Sequence, residues 1–223
     1  MNALVGLETC TTKGKYIERA KLCAETWGAE LPKYGFTFKA FTGEILGVND
    51  DYKHLCYKTR AICKYAVENS YDWLLIIDDD CVLRPEKLHV PDFDGRVDYA
   101  GYSLPRGVNK LTQRLYLSGG CYWLSKKAFS ILAESPISAT PGIMPRPKPG
   151  WETWQGTWAE DQWAGWTLGD HGIQPTEMLD WRIAPCTCGH PNCVPERVGN
   201  DWTVLMQITD IKTQREIINA FRV

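Results

Sequence analysis

The stretch DWLLIIDDD occupies residues 72–80, an apolar run that ends in three consecutive carboxylates. A continuous run of large apolar residues is typical of a strand that is buried on both faces of a parallel sheet. In open α/β sheets, ligands bind beyond the carboxyl ends of the strands, which is where Asp78, Asp79 and Asp80 fall. The stretch therefore predicts a central strand with an acidic crevice at its end.

Strands and helices alternate on the N-terminal side of this stretch. Apolar runs predict strands over Leu4–Thr9 and Thr37–Thr42, and apolar residues at helical spacing predict helices over Tyr16–Trp27 and Tyr52–Glu68. Short connections between such elements are typical of right-handed βαβ units. The predicted fold class is α/β, with helices flanking a mixed, mainly parallel sheet.

The C-terminal side predicts further strands over Asp98–Ser103 and Arg114–Leu124. A helix is expected over Ser125–Glu134 with its first residue as N-cap, and another from Glu160 to Leu168 or Gly169. A short strand and a helix follow within 203–223. A chain of 223 residues is near the size at which one domain buries a single core, so we expect one domain over the whole chain.

Composition excludes some classes of protein. The net charge is −2, and no run of five like charges suggests a nucleic-acid-binding tail. No stretch approaches the roughly 18 apolar residues of a membrane helix, and the start lacks a signal peptide, so we expect no membrane anchor in this chain. Nine cysteines, an odd number spread along the chain, favour reduced thiols and a cytoplasmic location.

The three carboxylates at residues 78–80 predict a bound cation. They repel one another unless a positive charge lies among them, and Mg²⁺ or Mn²⁺ takes one or two carboxylates and completes its shell with substrate phosphates. Asp78 and Asp80 therefore indicate a metal-bridged diphosphate site. The alternative is a solvated acidic turn.

A series of motifs in a fixed order carries a family resemblance. In chain order they are Thr11-Thr12-Lys13, Arg19, Glu25-Thr26-Trp27, Phe41-Thr42-Gly43-Glu44, Leu55-Cys56-Tyr57-Lys58-Thr59, the aspartate triplet, Ser118-Gly119-Gly120-Cys121-Tyr122-Trp123-Leu124-Ser125, and Glu160-Asp161 with Gly165. The series resembles the Fringe and β1,3-galactosyltransferase family of metal-dependent, inverting glycosyltransferases with the Rossmann-like GT-A fold. The resemblance implies a nucleotide-sugar-binding half over 1–90 and an acceptor-binding half over 91–223, with a Pro-rich loop over 136–149.

The resemblance also implies the reaction and the residues around its donor. It implies a hexosyltransferase that uses a UDP-sugar with Mn²⁺ or Mg²⁺, in which Asp80 is the principal metal ligand and Asp78 a second, direct or through water. The donor-binding residues that it implies are Thr11, Thr12, Arg19, Lys58, Asp79, Gly119 and Gly120. The alternatives are helix N-caps for the threonines, a surface ion pair for the arginine, a solvated lysine and a β-bulge at the glycines.

Asp161 is the general base that the resemblance implies. It would take the proton of the acceptor hydroxyl for in-line attack at the anomeric carbon, with inversion. The alternative is a carboxylate that stabilises the helix N-terminus, the role expected for its neighbour Glu160.

Six of the ten tryptophans lie between residues 151 and 181, around Asp161. Indole faces stack on sugar rings and bases, so Trp154 and Trp158, with Trp151, are candidates for acceptor binding. Trp163 and Trp166 are expected to be a buried stripe of the helix instead.

Three thiols and an imidazole lie within residues 186–193: Cys186, Cys188, His190 and Cys193. Three hypotheses stay open for them. They bind a structural Zn²⁺, although the spacing is tight for one tetrahedral site; or His190, less readily His171, is a further ligand of the catalytic metal, as the resemblance implies; or the thiols bind no metal.

The acceptor and the source are predicted only by class. A carbohydrate, a protein or a hydroxymethylated DNA base would each supply a hydroxyl, and a compact cytoplasmic enzyme suggests a phage, large-virus or bacterial protein. Two rival functions remain: a sugar nucleotidyltransferase or other metal-dependent nucleotide-sugar enzyme, and a non-catalytic carbohydrate-binding module. The module would explain the tryptophans but not the acidic triplet.

Overall fold

The stretch Trp73–Asp78 is a strand in the middle of a six-stranded sheet. This topology comes from a computed structural model, which describes residues 1–51, 54–91, 95–102, 115–117, 120–137, 160–183, 202–206, 208 and 210–221. The prediction of a central strand that ends in carboxylates is confirmed.

Nine strands form two sheets within these residues. They are β1 (Ala3–Glu8), β2 (Phe36–Phe41), β3 (Trp73–Asp78), β4 (Val82–Leu83), β5 (Tyr99–Gly101), β6 (Cys121–Ser125), β7 (Thr176–Glu177), β8 (Trp181–Ile183) and β9 (Val204–Met206). The larger sheet has the order β2-β1-β3-β6-β5-β7 and the smaller has β4-β9-β8. Strand β1 pairs in parallel with β2 and β3, and β5 with β7, whereas β6 is antiparallel to both of its neighbours. The sheet is therefore mixed, as predicted.

Six helices cover the two faces of the larger sheet. They are α1 (Gly14–Cys23), α2 (Gly43–Leu46), α3 (Leu55–Glu68), α4 (Lys126–Glu134), α5 (Glu160–Asp170) and α6 (Ile211–Ala220). Successive residues of a strand point to opposite faces, so Val5 and Leu75 pack with α1, α6 and the smaller sheet, whereas Leu4 and Leu74 pack with α3, α4 and α5. Both faces of β1 and β3 are thus buried, which explains their continuous apolar runs.

Most predicted elements lie close to the observed ones. Helix α4 begins after Ser125, whose hydroxyl accepts a hydrogen bond from the Ala128 N–H, so the predicted N-cap is confirmed. The helix predicted over Tyr16–Trp27 differs, because α1 ends at Cys23 and a π-helical turn follows over Ala24–Gly28. In that turn Trp27 packs edge-to-face on Phe38 at 5.5 Å between ring centroids.

The strand predicted over Arg114–Leu124 is shorter in the described residues, where it spans Cys121–Ser125. Among the cysteines that the structure describes, six are free thiols, and all but Cys10 are buried. None of the described helices combines the length and the apolar character required to span a bilayer.

Candidate active site at the carboxyl edge of the sheet

The strand ends bring distant residues together at one edge of the sheet. Glu8 and Asp78 are the last residues of β1 and β3 and are partners in the parallel register. The N–H of Asp78 donates to the carbonyl of Gly120, which lies just before β6, at 3.0 Å. Predicted site residues from two halves of the chain therefore meet beside the end of β3.

Asp79 and Arg19 form a buried ion pair beneath the acidic turn. Arg19 is 3% exposed, and its Nη2 lies 2.9 Å from Asp79 Oδ1, while the Thr9 hydroxyl donates to Asp79 Oδ2 at 2.7 Å. Burial raises the pKa of Asp79 to about 6, although the Thr9 and Arg19 contacts oppose that shift. Arg19 and Asp79, both predicted to bind the donor, thus form an ion pair with each other. Because this ion pair is buried, the alternative hypothesis of a surface ion pair for Arg19 is wrong.

Asp78 and Asp80 lie at the same turn and are both partly exposed. Arg19 Nη1 lies 3.9 Å from Asp80 Oδ2, at the limit of an ion pair. Burial, followed by the charges of Asp80 and Glu8, raises the pKa of Asp78 well above its usual range. Repulsion from neighbouring carboxylates therefore adds to the effect of burial on Asp78, one of the two residues expected to bind metal.

Glu8 is a site residue that the sequence analysis missed. It is buried, its Oε2 accepts a hydrogen bond from the Thr59 hydroxyl at 3.2 Å, and its Oε1 has no hydrogen-bond partner. Burial raises its pKa to about 7, although the charge of Lys58 opposes the shift. An acidic residue inside an otherwise apolar predicted strand was the sequence feature that could have revealed it.

Lys58, Asp50 and Thr11 form a second cluster at this edge. Lys58 is 2% exposed; its Nζ lies 3.0 Å from Asp50 Oδ1 and donates to the Thr9 carbonyl at 2.5 Å. Asp50 Oδ2 also accepts from the N–H of Thr11 at 2.6 Å and from its hydroxyl at 3.1 Å. Burial raises the pKa of Asp50, but the Thr11 and Lys58 hydrogen bonds outweigh it, so the net pKa is lowered.

This cluster changes two of the alternatives weighed from sequence. Lys58 is not a solvated lysine, and Thr11 binds Asp50 instead of capping α1, whose N-cap is Lys13. Thr12, which was expected beside Thr11 in the donor site, is exposed. Asp50 was not predicted as a site residue, because the sequence of the turn around it does not show that it pairs with Lys58.

The first turn of α5 brings two more carboxyl groups to the site. Glu160 is buried and its Oε2 has no hydrogen-bond partner. Burial, followed by the charges of Asp161, Asp78 and Glu8, raises its pKa well above the usual range. Asp161 is partly exposed and its Oδ1 accepts from the Gln162 N–H at 2.8 Å. The predicted start of the helix at Glu160 is confirmed.

Close packing fixes the position of α5. A Cβ at Gly165 would lie 2.5 Å from the Tyr116 Cβ, so only glycine lets the helix approach that segment so closely. Trp163 and Trp166 are buried, as predicted. His171, at the far end of the helix, is exposed, and its Nδ1 lies 2.8 Å from the Thr167 carbonyl.

Several predicted residues lie outside the described residues, and their roles stay predictions. They are Gly119, the acceptor candidates Trp151, Trp154 and Trp158, and the proposed metal ligands Cys186, Cys188, His190 and Cys193.

The carboxylate oxygens at this edge of the sheet are of the kind that a hard divalent cation binds. In the described ranges no group of three or more His, Cys, Asp or Glu side chains is placed so that it could hold a metal ion. Mg²⁺ and Mn²⁺ need less, since they bind one or two carboxylates and keep the remaining positions for phosphate or water. Within the described residues, the buried oxygens Glu8 Oε1 and Glu160 Oε2 have no hydrogen-bond partner, and neither has the buried Nε of Arg19, which is a donor. Asp78 and Asp80 therefore fit such an ion.

Comparisons with known proteins give the fold. No protein-family model matches the chain, and no curated protein matches it in sequence. Among solved structures it is similar to a glycosyltransferase involved in the glycosylation of the major capsid of PBCV-1, with a TM-score of 0.59 and 16% identity over 98% of this chain and 99% of that one.

Two other matches have lower TM-scores. A197 from STIV gives 0.42, with 14% identity over 80% of this chain and 82% of that one. A Drosophila β1,4-galactosyltransferase 7 mutant, in complex with manganese, UDP-Gal and xylobiose, gives 0.46, with 11% identity over 81% of this chain and 66% of that one. The match to the PBCV-1 glycosyltransferase covers nearly the whole of both chains, and the mixed, helix-flanked sheet of this protein is the GT-A glycosyltransferase fold that the sequence predicted.

Proposed function

We propose that this protein is a metal-dependent, inverting glycosyltransferase that moves a sugar from a UDP-sugar to an acceptor hydroxyl. One observation carries the proposal: carboxyl groups from β1, β3 and α5 converge at the carboxyl edge of a glycosyltransferase fold. Burial, and after it the charges of nearby carboxylates, raise the pKa values of Glu8, Asp78 and Glu160. Such a site favours a divalent cation and the diphosphate that the cation binds.

Asp78 and Asp80 would hold Mn²⁺ or Mg²⁺, with His190 as a further candidate ligand. The bound ion supplies charge that stabilises the leaving diphosphate. Arg19 and Asp79 hold the turn from below through their ion pair. Lys58, Asp50 and Thr11 form one wall of the donor site, and Thr12, Gly119 and Gly120 complete the set of donor-binding candidates.

Asp161 is the general base in this proposal. The acceptor hydroxyl gives its proton to the Asp161 carboxylate, its oxygen bonds to the anomeric carbon, and the bond from that carbon to the diphosphate oxygen breaks on the opposite face. The neighbouring Glu160 is less suited to this step. Burial raises the pKa of Glu160 well above the usual range, which favours its protonated form, whereas a general base must be ionised.

Trp154 and Trp158 are the proposed acceptor-binding residues, because aromatic faces beside the base would position a sugar or a base. A carbohydrate, a protein and a hydroxymethylated DNA base remain the acceptor classes. Structural Zn²⁺ at Cys186, Cys188, His190 and Cys193 remains a separate proposal, which elemental analysis of protein purified without added metal would test.

A thermal-shift panel tests the proposed function. The protein is heated with UDP, UDP-sugars and the other nucleoside diphosphates, each with and without Mn²⁺. We expect UDP to raise the melting temperature only when Mn²⁺ is present, because the ion links the nucleotide to the chain. A variant with Asp78→Asn and Asp80→Asn is the matched control and should lose this response. If no nucleotide stabilises the wild-type chain in a metal-dependent way, the proposal is wrong.

A further inference from the structure

The backbone of the acidic turn is held by the C-terminal part of the chain. The carbonyl of Asp78 accepts from the Cys81 N–H at 3.1 Å, which closes the turn. The carbonyl of Asp80 accepts from the Ile208 N–H at 2.8 Å. The carbonyls of Asp79 and Cys81 accept from the side chain of Gln214. Every carbonyl from residue 78 to 81 therefore has a donor, and Ile208 and Gln214 together donate to three of the four. The Cys23 thiol adds longer contacts to the Asp79 and Cys81 carbonyls, at 3.6 and 3.9 Å.

Gln214 makes two of these hydrogen bonds with one amide group. Its Nε2 donates to the Asp79 carbonyl at 3.0 Å and to the Cys81 carbonyl at 3.1 Å. The residue is 0% exposed, and its Oε1 is buried with no hydrogen-bond partner among the described residues. A primary amide has two N–H donors, and the two carbonyls are its shortest contacts, with Cys23 Sγ farther from Nε2 at 3.5 Å. The side chain serves this site as a donor, at the cost of an unpaired acceptor.

Helix α6 carries Gln214 in a fixed position relative to the turn. The Asp210 carboxylate caps the helix by accepting from the N–H of Thr213 at 2.8 Å and from its hydroxyl at 2.7 Å. The helix packs on α1, which carries Arg19. The turn is therefore held twice: Arg19 from α1 binds its side chains, and Gln214 from α6 binds its backbone.

We propose that Gln214 is a positioning residue for the metal site. By holding the carbonyls on either side of Asp80, its amide fixes the turn so that Asp78 and Asp80 offer their carboxylates to one cation. The inference rests on the proposed function, since it assumes that these carboxylates bind a divalent ion. Residues that orient metal ligands typically change metal affinity by about 10- to 100-fold when they are replaced.

The test compares two substitutions in the same helix. Gln214→Met keeps the length of the side chain and removes both donors. Ile217→Ala removes buried apolar surface from α6 and keeps both hydrogen bonds of the Gln214 amide. Each variant and the wild-type chain are titrated with Mn²⁺ in the presence of UDP, with free Mn²⁺ followed by electron paramagnetic resonance, and unfolding by urea is measured in parallel.

We expect both variants to lose stability, but only Gln214→Met to bind Mn²⁺ about tenfold or more weakly. If Gln214→Met binds Mn²⁺ as tightly as the wild type, or if Ile217→Ala weakens binding equally at equal loss of stability, Gln214 is only structural and the inference is wrong. A wild-type chain that binds no Mn²⁺ with UDP would instead overturn the proposed function, and the inference with it.

Gln214→Asn covers the case in which the methionine variant does not fold. It keeps the amide on a side chain that is one methylene shorter, so it cannot reach both carbonyls without a shift of the helix. We expect it to fold and to bind Mn²⁺ more weakly than the wild type. Wild-type affinity in the asparagine variant would also contradict the inference.

Discussion

Two sets of carboxyl groups share one edge of the sheet and differ in their partners. Asp79 and Asp50 each contact a buried cation: Arg19 for the first and Lys58 for the second. Glu8 and Glu160 are also buried, but within the described residues neither has a cation at ion-pair distance, and each has a side-chain oxygen with no hydrogen-bond partner. We call Asp79 and Asp50 the balanced set, because a cation of the chain pairs with each of them. We call Glu8, Glu160 and Asp78 the unbalanced set, because no ion pair with a cation is present for them within the described residues.

The pKa values follow this division. The pKa of Asp50 is lowered because its hydrogen bonds outweigh burial, and Arg19 and Thr9 limit the rise for Asp79 to about 6. Burial raises the pKa of Glu8 to about 7, and the pKa values of Asp78 and Glu160 rise well above the usual range. The ion pairs Arg19–Asp79 and Lys58–Asp50 build the framework of the site, and Glu8, Asp78 and Glu160 lie where the proposed function would place a cation.

The largest effect should come from Asp161→Asn. Loss of a positioned base typically lowers turnover by about 100- to 10,000-fold, so we expect transfer nearly to cease while Mn²⁺-dependent UDP binding stays intact. Glu160→Gln is the matched control on the preceding residue and should keep most of the turnover, because burial raises the pKa of Glu160 and so favours its uncharged form, which glutamine mimics. Initial rates and UDP affinity are measured for both. Substantial turnover in Asp161→Asn would remove Asp161 from the role of base.

Arg19→Met removes the cation of the buried Arg19–Asp79 ion pair. It leaves the Asp79 carboxylate buried without its cation, and such a change typically lowers the free energy of unfolding by about 3–5 kcal/mol. The double variant with Arg19→Met and Asp79→Leu removes both charges and should recover much of that loss. Urea unfolding with and without EDTA measures each step. An Arg19→Met protein as stable as the wild type would show that the pair is not a framework contact.

Glu8→Gln removes a charge from the unbalanced set and should change the pH dependence of stability. The folded-state pKa of Glu8, about 7, lies above the usual value of 4.5, so the folded chain holds the proton more tightly than the unfolded chain. Stability from this group is present below pH 4.5 and is lost as the pH rises toward 7. At pH 8 we expect Glu8→Gln to be more stable than the wild type by up to roughly 3 kcal/mol, and near pH 5 by little.

Unfolding in EDTA at pH 5 to 8 measures this difference. Glu216→Gln, at an exposed position on α6, is the control and should show no such trend. A constant difference between Glu8→Gln and the wild type across this range would mean that Glu8 stays ionised in the folded chain.

The elements of the fold were largely predictable from the sequence, whereas the partners in the site were not. The apolar run over 74–77 and the Ser125 cap are local patterns, and local patterns determine strands and helix starts. The pairing of Arg19 with Asp79 depends on how α1 packs beside β3, which no spacing in the sequence reports. The resemblance predicted Arg19 and Lys58 as donor-binding residues, and that role stays a prediction. Their buried ion pairs with Asp79 and Asp50 became visible only in three dimensions.

Gly165 is a second residue whose contacts could not be predicted from the sequence. Gly165 was one matching position in a resemblance, with no physical role that the sequence alone could supply. In the structure, a Cβ at Gly165 would lie 2.5 Å from the Tyr116 Cβ, so the role of the glycine is to let α5 pack against the segment of Tyr116. That segment is distant in sequence, so the contact could not be predicted from the residues around Gly165. Gln214 and Glu8 were missed for a related reason, because their importance lies in what they contact after folding.

The acidic turn is held by residues from both ends of the chain, Arg19 and Gln214, so it can be completed only late in folding. The turn at residues 78–81 needs donors from Thr9 and Arg19, but also from Ile208 and Gln214. Contacts between residues so far apart in the chain form late, because loop-closure entropy opposes them until the intervening segments are ordered. On the ribosome, β1 and β3 can pair long before α6 has been synthesised. The acidic turn, and with it the metal site of the proposed function, would therefore be complete only after α6 has folded against it.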